Sequence, residues 1–390
     1  MRIVTLSNCP LVESQGAGYV VLRYARALRS LGHAVELAGP ETFEPWPALG
    51  RARRWRLALG MVVHALRHRL YRGADVIEVY GAESWLLVLL LRLTRTRALL
   101  AHHANGLETL HLLNLSRHGG RDTLSGAPRR WYQPRAARLL EQSFTRVDAL
   151  VVVSHAEHRH ALAARYQPTE RLLAIENPLP EAFLARPLQL DRPRALGWCG
   201  AWLWTKGTKL LVACVDALLA RYPEVTFHIA GVGTGFDARR VFDPAVCERI
   251  TVVPFLASKE TLRAWYETLS ILLVTSYSES FGLVTAEAMA CGCAVVATPT
   301  GYAADLRDGD EAIVVGEYSA EALVEGASRL LADEELRRRV AKGGHRRAQS
   351  LQWGDAGRRL EAFYRERIDA SRARRMPPSR RASSRRETAR

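Results

Sequence analysis

An α/β fold of two doubly wound, Rossmann-like domains facing a cleft follows from three features of this chain. Short apolar segments alternate with helical stretches, the alternation breaks once and then resumes, and 390 residues suffice for two cores. In the first half, segments 3–6, 34–38, 76–80, 98–102 and 149–153 read as buried strands, and 18–31 carries helical periodicity ending at Gly32, a residue suited to a helix C-terminal cap. The break lies around Asn177, Pro178 and Pro180 and runs on to Pro187, Asp191 and Pro193. Strands at 195–199, 225–230, 250–253, 271–275, 294–297 and 312–315 follow. The expected division is a first domain over 1–185, a second over 190–352, a helix over 353–370 and a basic tail over 371–390 with too little apolar content to order itself.

Composition narrows the class. At 48% apolar and 24% charged the chain reads as a soluble globular enzyme. The first residues form a strand pattern with no apolar run of signal-peptide type. The most apolar window, 85–91, is closed by Arg92 and Arg95, well short of the roughly 20 residues a bilayer requires, and is expected to be a buried helix. Six cysteines fall in strand and helix patterns without disulfide or zinc spacing, which fits reduced thiols and a cytoplasmic location. The net charge is +15, and residues 365–390 hold ten arginines against three acids. A second basic block, 51–72, mixes Arg with Trp and aliphatic residues. It is either a solvated helix covering the first domain or one that lies on the inner face of an anionic membrane. No nucleic-acid-binding module accompanies this charge, and nucleic acid is not an expected partner.

The most informative segment is 279–297. It puts Glu279 and Glu287 eight residues apart, with Ser280, Phe281, Gly282 and Leu283 after the first, and ends in the buried pattern 294–297. With 271–275 as a strand, a helix is expected to begin near Phe281 or Gly282, capped by oxygens from 278–280. The carboxylates then stand about 10 to 12 Å apart with unpaired backbone N–H groups between them. That is an anion seat with a hydroxyl acceptor at each end, the layout of a ribose, a diphosphate and a sugar. The spacing argues against a two-carboxylate glycosidase, whose pair stands about 5 Å or about 6.5 to 9.5 Å apart.

This string resembles the signature of the retaining family 4 glycosyltransferases, which have the GT-B architecture; Gly282, Ala288, Gly292 and 294–297 agree with it as well. The resemblance implies that Glu279 contacts the donor sugar near its reacting carbon. It also implies that the run Ser280, Phe281, Gly282 and Leu283 holds diphosphate and sugar, and that Glu287 binds the ribose. Lys206, in the loop 200–207, matches a diphosphate-clamping cation; the family's arginine in that loop is Ala201 here. Gly16 matches the family's glycine pair after the first strand, on the donor and acceptor side. His103, chosen over His102, matches a cleft histidine with a positioning or proton-handling role. The helix over 353–370 would cross back onto the first domain.

Glycines 231, 233 and 235 lack the spacing and the acidic partner of a dinucleotide fingerprint. Asp308 and Asp310 read as a surface turn; Ser154 resembles the family's strand-end serine and either lines the cleft or caps the next helix. No metal or other cofactor is expected. The implied activity is retaining transfer of a sugar from a nucleoside diphosphate sugar to a hydroxyl acceptor, in cell-envelope glycan or glycolipid synthesis. The alternatives are a non-catalytic sugar-nucleotide binder, another enzyme on the same fold such as a phosphorylase or a sugar-nucleotide epimerase, and an adaptor driven by the basic tail.

Overall fold

A computed structural model describes residues 1–13, 16–49, 52–94, 96–118, 134–185 and 187–375. Within them the chain forms two six-stranded parallel sheets, each flanked by helices. The first holds β1 (Arg2–Ser7), β2 (Ala34–Ala38), β3 (Val76–Tyr80), β4 (Leu99–His103), β5 (Ala149–Val152) and β6 (Leu172–Ala174), in the order β2-β1-β3-β4-β5-β6. The second holds β7 (Ala195–Cys199), β8 (Thr226–Ala230), β9 (Ile250–Val253), β10 (Ile271–Val274), β11 (Ala294–Ala297) and β12 (Ile313–Val314), in the order β12-β11-β10-β7-β8-β9. β6 escaped the sequence reading because three residues, Leu172 to Ala174, are too few to show a period.

Parallel strands covered on both faces must be apolar throughout, and β4, β5, β10 and β11 are buried at every residue. Helix Gly16–Ser30 ends where Gly32 takes φ 84°: its N–H reaches the carbonyl of Arg29, and the N–H of His33 reaches that of Leu28. These paired bonds close the helix and turn the chain into β2.

The strand order reverses beside β1 in the first sheet and beside β7 in the second, where β10 and β7 lie side by side. In doubly wound sheets ligands bind beyond the carboxyl ends of strands at such a reversal. The loops that follow β1, β7 and β10 carry Gly16, Lys206 and Glu279.

The last helix, Trp353–Arg375, lies against the first sheet. Trp353 meets the rings of Tyr19 and Tyr24 edge-on at 6.0 and 5.2 Å, and Arg359 donates to the carbonyl of Ala174 at 2.8 Å. It runs past the expected end at 370, so 371–375 are helical rather than part of a tail; 376–390 lie outside the described residues. The apolar window is helix Trp85–Leu93, with Leu87, Val88 and Leu91 buried. Among the described residues no helix is long and apolar enough to cross a membrane.

The two sheets also meet across the cleft. Asp305 accepts from the backbone N–H groups of His155 and Ala156 at 3.0 and 3.3 Å, at the start of helix His155–Ala163, and from Arg159 at 2.9 Å. Here a second-domain carboxylate neutralises the positive end of a first-domain helix. Behind the cleft, Arg347 is ion-paired with Glu176, and Leu179 N–H reaches the carbonyl of Leu351 at 3.0 Å.

Candidate functional site

The loop after β7 is stitched to the loop after β10 by local chemistry. Gly207 takes φ 68°, and a Cβ there would stand 1.8 Å from the carbonyl oxygen of Thr275, so only glycine lets the two backbones approach this closely. Thr275 Oγ1 donates to the carbonyl of Lys206 at 2.7 Å, and Tyr277 N–H reaches the carbonyl of Thr205 at 2.9 Å. These contacts deliver the Lys206 side chain to Glu279: Nζ donates to Oε1 at 2.6 Å, and Ser276 Oγ donates to the same oxygen at 2.7 Å.

The following helix is Leu283–Ala290, one or two residues later than expected, with Gly282 as its N-cap at φ 87° and ψ 63°. The expected serine caps are absent. Ser278 Oγ pairs with His111 Nδ1 at 3.0 Å, and Ser280 Oγ lies where a Cβ on Gly106 would be, 2.0 Å from that point. Both serines thus face the first domain rather than the helix start. The first-turn N–H groups carry no side-chain cap, which leaves an uncapped positive helix end in the cleft. Phe281 is a packing anchor: its ring is buried against Tyr302 at 4.9 Å, and its carbonyl accepts from Tyr302 N–H at 2.7 Å.

Glu287 sits inside the helix and is 2% exposed. A buried carboxylate needs partners. Lys259 Nζ donates to its Oε1 at 2.8 Å, and Tyr266 OH lies 3.5 Å from Oε2. Sequence reasoning missed Lys259. Its local signal is the capping box in which Ser258 and Thr261 exchange hydrogen bonds, which puts Lys259 at the first position of helix Lys259–Glu267. Its proximity to Glu287, 28 residues on, has no local signal.

Across the cleft, a Cβ on Gly16 would stand 3.9 Å from Leu283 Cδ1, so Gly16 faces the start of helix Leu283–Ala290. Gly18 has a packing role, since a Cβ there would meet the carbonyl oxygen of Pro10 at 2.1 Å. Tyr19, on the same helix, lies below Lys259, with Nζ 5.9 Å from its ring centroid. The fold therefore gathers Gly16, Lys206, Glu279, Ser280, Gly282, Leu283 and Glu287 around one cleft.

His103 lies deeper than a cleft position. Its side chain is fully buried, and its Nδ1 lies 2.8 Å from Tyr80 OH and 3.3 Å from Glu78 Oε1. Glu78 also accepts from Thr5 Oγ1 at 2.8 Å and from Tyr364 OH, on the last helix, at 2.6 Å. Burial pushes the Glu78 carboxyl up, but the hydrogen bond and charge of His103, with Tyr364 and Thr5, together hold it below its ordinary value. His103 thus belongs to a buried network that ties β3 and β4 to the last helix, and its side chain has no surface in the cleft. His102 points to the other face of the sheet against Phe144, and burial, reinforced by His103, lowers its pKa to about 3.

Two smaller readings stand. Ser154 caps its helix by accepting from Glu157 N–H at 3.2 Å. Asp308 accepts from Val314 N–H at 2.9 Å and Asp310 pairs with Arg307 at 2.9 Å, the contacts of a turn. Among the described residues no group of three His, Cys, Asp or Glu stands close enough together to hold a metal ion.

Two family models match the chain: one described as Glycosyl transferases group 1 over residues 193–333, and one described as Glycosyl transferase 4-like domain over residues 15–178. Among curated proteins it is similar to the D-inositol 3-phosphate glycosyltransferase of Corynebacterium aurimucosum, 27% identical over 252 residues that cover 59% of each chain. The protein of the same name from Corynebacterium jeikeium is 30% identical over 187 residues, 45% of this chain and 44% of that one. The chain thus spans about half the length of these curated relatives. Among solved structures, sucrose-phosphate synthase from Thermosynechococcus elongatus superposes with a TM-score of 0.75 at 19% identity, over 95% of this chain and 100% of that one. HepE from Anabaena, solved in complex with UDP, gives 0.65 at 15% identity, over 94% and 100%. With both halves matched by models of one enzyme group, and two facing Rossmann-like sheets like those of the solved structures, the chain belongs to the group 1 glycosyltransferases of GT-B architecture.

Proposed function

We propose that this protein is a retaining glycosyltransferase that moves a sugar from a nucleoside diphosphate sugar to a hydroxyl acceptor. The observation that carries the reading is the placement of two lysine–carboxylate pairs, Lys206 with Glu279 and Lys259 with Glu287, on either side of an uncapped helix start that faces Gly16. A diphosphate has its seat on the first-turn N–H groups near Gly282 and Leu283. Glu287 takes the ribose hydroxyls and Glu279 the hydroxyls of the donor sugar. Lys206 has three N–H donors, so it can keep Glu279 while reaching a phosphate oxygen. Lys259 is the second cation on this face, and it offsets the arginine that Ala201 replaces.

In the reaction the bond between the anomeric carbon and the β-phosphate oxygen breaks, and the nucleoside diphosphate leaves with the electron pair. The acceptor oxygen bonds the anomeric carbon on the same face and passes its proton to the departing phosphate. Charge grows on that phosphate, so fixed positive groups at Lys206 and the helix end lower the barrier. His103 takes no proton in this scheme; it braces the end of β4 from behind. No step calls for a metal.

The names of the curated relatives specify a polyol phosphate as acceptor, and HepE is solved with UDP and with UDP-glucose. UDP-sugars and phosphorylated or lipid-linked hydroxyl acceptors are therefore the first to test, with envelope glycan or glycolipid synthesis at the cytoplasmic face of a membrane as the setting. A second reading, a non-catalytic sugar-nucleotide binder, draws on Ala201 in place of a clamping arginine. A thermal-shift screen against UDP-, GDP- and ADP-sugars, with Glu287→Ala as control, followed by a donor-hydrolysis assay, separates the two. A shift without turnover favours the binder, and no shift for any donor overturns both.

A further inference from the structure

Helix Arg53–Arg67 is apolar on two sides. Leu57, Met61 and Ala65 are buried in the core beneath it. Trp55, Leu59, Val63 and Leu66 point the other way and keep 60, 49, 52 and 48% of their surface exposed. Their spacing lines one face of a helix over three turns, and a contiguous solvent-facing apolar stripe marks an interaction surface. The segment entering the helix adds Trp46 and Leu49, both more than half exposed.

Charge identifies the occupant. Residues 46–72 contain seven arginines and no Asp or Glu. At the start of the helix Arg53 and Arg56 are tied to Glu44, and Arg54 to Glu83 and Glu108. At its far end Arg67 and Arg69 are exposed and make no ion pair among the described residues. An apolar stripe with tryptophan, bordered by arginine and free of acids, matches a surface of anionic headgroups over hydrocarbon.

We propose that the outward face of helix Arg53–Arg67 docks on an anionic lipid bilayer. Position supports this. Arg54 reaches Glu108 at 3.5 Å, and helix Glu108–Arg117 carries His111, which pairs with Ser278 beside the donor motif. The stripe thus begins at the rim of the cleft, and docking brings the cleft mouth to the headgroup layer. That this serves to present a lipid-linked acceptor rests on the proposed function; the binding itself is tested without it.

The test is co-sedimentation of the full chain with vesicles of phosphatidylcholine, alone or with phosphatidylglycerol, at low and high salt. Wild type is expected to pellet with the anionic vesicles and to lose binding as salt screens the arginines. Trp55→Ser with Leu59→Ser and Val63→Ser, and separately Arg67→Glu with Arg69→Glu, should each lower the bound fraction about tenfold. Trp55 also meets the ring of Trp85 edge-on at 5.7 Å, so the serine variant should lose a few degrees of melting temperature, while the exposed arginine pair should lose none. A chain lacking 376–390 should pellet like wild type. The proposal is overturned if wild type stays in the supernatant, if both variants pellet unchanged, or if only the loss of 376–390 abolishes binding. It is overturned too if wild type is a dimer that the serine variant converts to monomer without vesicle binding, which assigns the face to a second copy. A donor thermal shift on the same preparations keeps the two readings apart: if it is absent throughout, the donor reading fails while the vesicle result stands.

Discussion

Lys259 Nζ stands 2.8 Å from Glu287 Oε1, joining the first position of one helix to the interior of another across a cleft wall. The carboxylate is almost fully buried and the lysine is one third exposed. Removing the lysine therefore strands a buried charge, while solvent at Nζ screens part of the loss. Lys259→Met is expected to destabilise the protein by about 1 to 3 kcal/mol in urea unfolding and to weaken nucleotide-sugar binding about tenfold by calorimetry. Unchanged donor affinity would confine Lys259 to a structural role.

Gly207 positions Lys206 through its close backbone approach to Thr275. Gly207→Ala must carry a Cβ into the Thr275 carbonyl at a positive φ, so the two loops have to part. A loss of about 2 to 4 kcal/mol in stability and of measurable donor binding is expected, the second exceeding the loss in Lys206→Gln. Donor affinity equal to wild type would show that the loop tolerates the shift.

Burial separates a structural His103 from a proton-handling one. His103→Gln should cost about 2 to 4 kcal/mol in unfolding, because Glu78 loses a partner inside the core. The pH profile of kcat/KM should keep both limbs in the variant. The disappearance of one limb would return His103 to the chemistry.

Glu157 makes stability depend on pH. Burial raises its pKa from 4.5 to about 7, although the N–H groups of Leu107 and Val153 oppose the rise. The folded form therefore binds a proton that the unfolded form has already released between pH 4.5 and about 7. This contribution is full below pH 4.5 and is lost as pH rises through about 7, an effect on the order of 3 kcal/mol at most. Urea midpoints across this range should fall with pH in wild type and flatten in Glu157→Gln; equal slopes would place the carboxyl in a wetter setting.

Much of this molecule could be read without a structure because the information is local. Strands buried on both faces announce themselves as apolar runs, and all but β6 were found to within two residues at either end. The strand, turn and helix around Glu279 were legible because a carboxylate, small residues and a helix start lie consecutively in the chain.

Tertiary structure decided what depends on facing. Helix Arg53–Arg67 has apolar residues on two sides, and only packing shows that Leu57 and Met61 went inward and Trp55 and Leu59 did not. A histidine at a strand end looks like a cleft residue, but side chains alternate along a strand; the last helix, some 260 residues away, covered the face that His103 occupies. Glu287 stands out in sequence but Lys259, 28 residues earlier, does not. Their pairing comes from two helices that meet beside the strand reversal, a distance that no local pattern encodes.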